Sequence, residues 1–335
     1  MNKSKILVVA LIVVLLCLAG GSYSIFGGKV SIGLGLAAFA NSDKYTIGDT
    51  EINSTVENLE IDWVSGKVNI EYHAGSGVSV SEVANRSTSE DEKLRWWMDG
   101  TTLRIKYAKP QLVSFNNLKK TLTVSLPEGI VLKNVDIDTT SADIGVPSMT
   151  ADEIKFDTTS GDVNAVITAK KLSASSTSGD LNVRQDSDIN TAHFSSTSGA
   201  LAFTVPSAEK ISMESTSGDI SVTVPRTVGD LNLDSTSGSI KPDIANTDKA
   251  KFSSTSGDIT ATLVSFKDLN VDVTSGDVTL KLPEISGFTL DLDARPSKLK
   301  SSLAMVKKGD DQYVFGDGSA RLRVSTTSGD VHIDK

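Results

Sequence analysis

The side chains in this chain that could do chemistry recur at a single spacing. Threonine precedes a Ser-Gly or Ser-Ala pair at Thr140, Thr159, Thr177, Thr197, Thr216, Thr236, Thr255, Thr274 and Thr327. Aspartate follows the glycine at Asp162, Asp180, Asp219, Asp258, Asp277 and Asp330. A hydroxyl row of this kind has two readings. It can recognise a periodic partner such as a wall glycan or ice, or it can be a strand-forming residue stacked on itself, with neighbouring hydroxyls supporting one another. Nearby charges at Lys155, Asp157, Glu214, Asp234 and Lys251 break the uniform face that ice would need. The carboxylates could share calcium through oxygen ligands. However, the repeat is not the Gly-rich nonapeptide of calcium-binding β-rolls, and Ala200 and Ser239 interrupt the series. Capping of the local turn is the expected role, with no metal and no cofactor.

Other reactive types are sparse. His73, His193 and His332 lie far apart, which gives no basis for a histidine-dependent triad or metal cluster. The glycines recur at coil spacing rather than opening a helix, so they form no phosphate loop. Polysaccharide-cleaving β-helices gather charged groups over several coils, and an enzyme of that class is the distant alternative to a non-enzymatic protein. The adjacent Trp96 and Trp97 cannot both point inward from one strand. One is expected to pack in a cap while the other is exposed or covered by a loop, and an exposed aromatic can stack on sugars or anchor a protein.

The elements that carry these residues follow from the period. The third position of the phrase Thr-Ser-Gly-Asp falls at Ala142, Gly161, Gly179, Gly199, Gly218, Gly238, Gly257 and Gly276, at intervals of 18 to 20 residues, and returns at Gly329. A fixed period of this size means stacked units that bury their apolar faces only against each other. Apolar or small residues stand seven and five positions before the glycine, from Ile154 and Phe156 to Leu269 and Val271. Small residues from Thr158 to Ser254 stand three before it, and Val163, Leu181, Leu201, Ile220, Ile240, Ile259 and Val278 stand two after it. These all share the inward face of strands with period two. Each coil reads as two short strands around a tight turn, with a looser return. The turn glycine is expected to need positive φ.

This gives an all-β chain: a β-solenoid of about 19-residue coils with β caps, plus one N-terminal transmembrane helix. The expected divisions are an anchor at 1–28, a linker at 29–50, an N-terminal β cap at 51–132, solenoid repeats at 133–282, and a C-terminal cap with a final coil at 283–335. Residues 59–66 match the repeat but place Trp63 where later coils carry Ser or Thr. Asp99-Gly100 predicts a hairpin, and Gly316-Asp317-Gly318 predicts another that closes the last coil.

Residues 6–26 carry no charge, follow Lys3 and Lys5, and are long enough to span a membrane, with the remainder outside the cytoplasm. Cleavage after Ala38-Phe39-Ala40 is the alternative. The single Cys17 lies in this apolar segment, so a disulfide within the chain is impossible. The whole chain has a net charge of −9. Removing the three lysines of the first 40 residues leaves 30 basic against 42 acidic groups in the rest. That balance of −12 argues against nucleic acid as a partner. A membrane-protein partner or a cell-wall glycan is the expectation, and the oligomeric state stays open. The basic segment 295–300 stands out only as a solvated loop.

The alternating strands through Asp99-Gly100, the phrase Leu126-Pro127-Glu128-Gly129, the Thr-Ser-Gly-Asp coils and the Gly316-Asp317-Gly318 approach to a last Ser-Gly-Asp together resemble the bacterial "putative adhesin" β-solenoid family over residues 50–335. With one N-terminal anchor, the architecture looks like its LiaG-type members. The resemblance implies a place in Gram-positive envelope-stress operons and supplies no catalytic residues.

Overall fold

The computed structural model describes residues 41–109, 117–294 and 299–335. The expected anchor at 6–26 and Cys17 lie outside the described residues, as do positions 295–298 of the basic segment. Among the described residues no helix is long and apolar enough to cross a membrane. The only helical pieces described are two single 3-10 turns, Ser42–Lys44 and Glu90–Glu92. All other regular structure among the described residues is strand.

The period-two pattern produces a parallel stack. Ile211 pairs with Leu231, Leu231 with Ala250 and Ala250 with Leu269, so like positions of successive coils lie over one another. The inward positions read from the sequence are buried throughout, from Ile154, Phe156 and Val163 to Leu269, Val271 and Val278. Each fully buried side chain of this size contributes about 1.5–3 kcal/mol. The large rings of Phe156, Phe194 and Phe252 alternate with the smaller Ala174 and Met213 in one inner row, which lets neighbouring coils interdigitate.

The return is less loose than the sequence suggests. Ile220–Ser235, Ile240–Ser254 and Ile259–Ser275 each run as strand from one turn to the next, and the register of the first two shifts at the corner between Val224 and Thr227. Buried Val224, Val228, Ile244 and Leu263 pin these corners. Where Leu181–Gln185 ends early, Gln185 completes the ladder with its side chain. Its Oε1 accepts the Ala169 N–H at 3.1 Å, and its Nε2 donates to the Ala169 carbonyl at 2.9 Å.

Both ends of the stack use the same device. Asn58–His73 carries the early copy of the motif and pairs in parallel with Leu132–Thr158 on one edge. Its other edge holds Thr102–Lys106 and Lys120–Pro127, so the intervening chain folds over the outside. Antiparallel strands Arg95–Asp99 and Val78–Ala84 then flank that outer layer, and the short Thr46–Ile47 and Thr50–Ile52 finish it. Short antiparallel edge strands blunt a sheet edge that would otherwise recruit other chains. The Asp99-Gly100 hairpin forms as expected, with Asp99 paired to Thr102 and Gly100 at φ 62°.

At the other end, Ala320–Ser328 slots between Ile259–Ser275 and Gly287–Ala294. Gly316-Asp317-Gly318 is therefore not the expected hairpin. Gln312–Gly316 pairs with the opposite edge of Gly287–Ala294, and the turn arches over the end of that strand. The arch passes so close to the Ser286 carbonyl that a Cβ at Gly316 would collide with it, and Gly316 and Gly318 take φ of 61° and 68°.

Candidate functional site

The Ser-Gly-Asp corners form one continuous column. In stacking order it runs Gly66, Ala142, Gly161, Gly179, Gly199, Gly218, Gly238, Gly257, Gly276 and Gly329. At about 4.8 Å per coil these ten positions span on the order of 40–45 Å. The reason for glycine differs from the expectation. Gly161, Gly179, Gly218 and Gly257 are not among the positive-φ residues, and only Gly66, Gly276 and Gly329 of this column are. The constraint is space: a Cβ at Gly179 would collide with the Gly161 carbonyl, and one at Gly218 with the Gly199 carbonyl.

Two hydrogen-bond systems hold the column. On the inner side, the Gly161 N–H donates to Thr158 Oγ1 at 2.9 Å, and the Gly218, Gly238 and Gly257 amides donate to the hydroxyls of Ser215, Ser235 and Ser254 at 2.8 Å. From the sequence alone these buried residues read only as small. The signal was a hydroxyl three residues before a turn amide. On the outer side the aspartates do not cap their own turn. The carboxylates of Asp162, Asp180, Asp219, Asp258 and Asp277 each accept the amide of the equivalent residue in the next coil. Asp162 Oδ1 takes the Asp180 N–H at 2.9 Å, and Asp180 Oδ1 takes the Ala200 N–H at 2.8 Å. Asp219 reaches Ser239, Asp258 reaches Asp277 and Asp277 reaches Asp330, all at 2.8 Å. Ala200 and Ser239 each interrupt this ladder once. Among the described residues no acidic, histidine or cysteine cluster is arranged to hold a metal ion.

The threonine row lies on the outer face just before the turn. Thr197, Thr216, Thr236 and Thr255 are exposed, while Thr159 and Thr177 are half-buried. Their hydroxyls do not bond one another, which removes the mutual support expected for a stacked row. The main chain alone links the coils there: the Ser198, Ser217 and Ser237 amides donate to the carbonyls of Thr177, Thr197 and Thr216 at 2.9 Å. The hydroxyls of Ser178, Ser198, Ser217 and Ser237 likewise bond no other described residue, so the corner presents two parallel rows of hydroxyls to solvent.

Nearer the N-terminal end, the outward face carries Asp62, Asp138 and Asp157 in one row and Asp136 and Lys155 in the next. Lys106 pairs with Asp62 at 2.8 Å, and Lys155 with Asp136 at 3.4 Å and with Asp157. Burial, and then the neighbouring Asp62 and Asp157, push the Asp138 carboxyl up to about 6.

The two tryptophans divide as expected. Trp96 packs against the core. Trp97 stays on the outside, with the Tyr45 ring 5.6 Å away edge-on, Lys44 Nζ 4.8 Å from its centroid and the Arg104 guanidinium at 5.8 Å. What the sequence did not reveal is Lys120, whose side chain is fully buried under the cap. Its Nζ meets Glu82 at 2.6 Å, donates to the Glu92 carbonyl at 2.7 Å and to the Tyr107 carbonyl, and lies 4.1 Å from the Tyr107 ring centroid. Burial pulls the Lys120 amine below its ordinary range. Trp63 donates through Nε1 to the Lys120 carbonyl at 3.1 Å, closing the same knot.

Residues 56–268 match the family model described as Toastrack DUF4097. No curated protein matches the chain. Among solved structures, it is similar to a "putative adhesin" from Bacteroides fragilis, at 16% identity and TM-score 0.38, covering 70% of this chain and 96% of that one. It is similar to a "putative cell adhesion protein" from Clostridium sporogenes at 13% identity and TM-score 0.19, covering 86% and 99%. A "Putative lipid binding protein" from Parabacteroides distasonis matches at 18% identity and TM-score 0.40, covering 69% and 95%.

Proposed function

For this chain, which belongs to the Toastrack DUF4097 family, we propose a non-enzymatic role as a LiaG-like envelope protein. It is held in the membrane by residues 6–26 and displays its solenoid outside the cytoplasm. The reading rests on the corner column, where two rows of hydroxyls face solvent along a rod stiffened by the aspartate ladder between coils and by serine hydroxyl bonds within each turn. A rigid periodic face suits a scaffold for other envelope components, in the manner of an accessory to envelope-stress signalling. Photo-crosslinking in intact cells from Thr197, Thr216 and Thr236, each replaced singly by a photoreactive residue, tests this. Reproducible capture of one membrane protein is the expected result, and capture of none sinks the scaffold role.

The second reading is a surface adhesin or wall-glycan binder, favoured by Trp97 on the outer face of the cap. It predicts that the purified full chain co-sediments with cell wall in a salt-resistant way. Loss of sedimentation in a Trp97→Ala variant would place the contact at the cap.

A further inference from the structure

Gly145 is a glycine without an internal reason. It sits inside the long strand Leu132–Thr158 and is not among the positive-φ residues. A Cβ there would meet nothing nearer than Asn69 Oδ1 at 3.4 Å, an ordinary contact with a movable side chain. The turn glycines collide with backbone; this one does not. A strand-interior glycine weakens its strand, and it often marks a place where something else approaches the backbone closely.

The surroundings show what that would be. On the outward face after the turn, one row reads Asn69, Gly145, Asn164, Asn182. The missing side chain opens a notch in a line of amides, and with the adjoining row it forms a shallow groove of about 650 Å³. Asn182 Nδ2 donates to Asn164 Oδ1 only at 3.4 Å, and the Asn69 amide bonds no other described residue. Pro147 and Val166 line the groove with apolar surface, Glu71 stands at one end, and Arg184 lies next to Thr204 toward the other. Arg184 is held in place by Asp186, to which its Nε donates at 2.8 Å.

We propose that this groove binds a neutral linear glycan lying along the stack. Uncharged amides offer paired donors and acceptors to sugar hydroxyls or acetamido groups. Pro147 and Val166 suit the C–H face of a pyranose. An extended β-linked chain advances by roughly one coil spacing of about 4.8 Å per sugar, so successive sugars meet successive coils of the row. Glu71 and the acidic background disfavour a polyanion. The proposal rests on the glycan-binding reading above, and gives it a site away from the cap and the hydroxyl rows.

The test uses the full chain purified in detergent, with the β-1,4-linked tetrasaccharide of N-acetylglucosamine as titrant in calorimetry, beside cell-wall co-sedimentation. Saturable binding is expected. Gly145→Ile fills the notch and should weaken it at least tenfold while leaving the melting transition in place. Asn164→Ala/Asn182→Ala should do likewise, and carries the test if Gly145→Ile does not fold. Lys267→Ala, at an exposed residue that does not line the groove, should bind as the parent does. Unchanged affinity in the notch variants overturns the groove. A parent that sediments with wall but ignores the tetrasaccharide also overturns the groove and keeps the glycan reading. A parent that does neither removes both.

Discussion

A methyl group at Gly199 would meet the carbonyl of Gly179, so alanine there must force two coils apart. Overpacking of this kind costs about 1–3 kcal/mol, and Gly199→Ala should lower the thermal midpoint clearly while Gly145→Ala does not. The aspartate ladder makes an opposite prediction. Ala200 and Ser239 are its two gaps, and a carboxylate at either position would reach the amide of the next coil as its neighbours do. Ala200→Asp and Ser239→Asp should each stabilise by about 0.5–1.5 kcal/mol in urea melts, the usual net value of an added hydrogen bond. Asp138 gives a pH signature. Its carboxyl titrates near 6 when folded, above the ordinary value of about 3.9 expected unfolded. The folded state therefore holds the extra proton between those values, and the associated stability is full below the lower one and lost as pH rises through about 6. Asp138→Asn should be more stable than the parent at pH 7.5, with the difference shrinking as pH falls toward 4. A difference that stays constant across that range would contradict the assignment.

The elements differ in how plainly the sequence announces them. Coils were legible because inward positions repeat at fixed offsets from one glycine, and Trp63 in the Ser/Thr position correctly marked the first coil as different. The direction of the aspartate bonds was not legible, since a carboxylate beside a turn can reach its own amides or the next coil's, and only the stacking distance decides. Gly316-Asp317-Gly318 misled for a related reason: turn residues specify a reversal, not which strand edges lie on either side of it. Nor could spacing reveal Lys120, a cation in an alternating strand whose partner Glu82 comes from another element. That pair locks Val78–Ala84 and Lys120–Pro127 of the cap together. Lys120→Met alone strands Glu82 and should cost about 3–5 kcal/mol, while Lys120→Met with Glu82→Gln should recover most of it. Chemical denaturation of the two variants measures both.

On the scale of the molecule, the parallel registers make the coils interchangeable. Removing residues 220–239 joins Asp219 to Ile240 in phase, and the shortened stack should fold and melt cooperatively. Removing residues 220–229 breaks the phase and should abolish that transition in circular dichroism. The insertion of Ala320–Ser328 beneath Gly287–Ala294 has a consequence for biosynthesis. Residues 320–328 are synthesised after the strands on either side of them, so the outer layer must wait, roofing an empty berth, until that later segment enters it. Chains stopped at residue 319 should be cut by protease between residues 283 and 319, and a synthetic peptide of residues 320–335 supplied in trans should restore resistance.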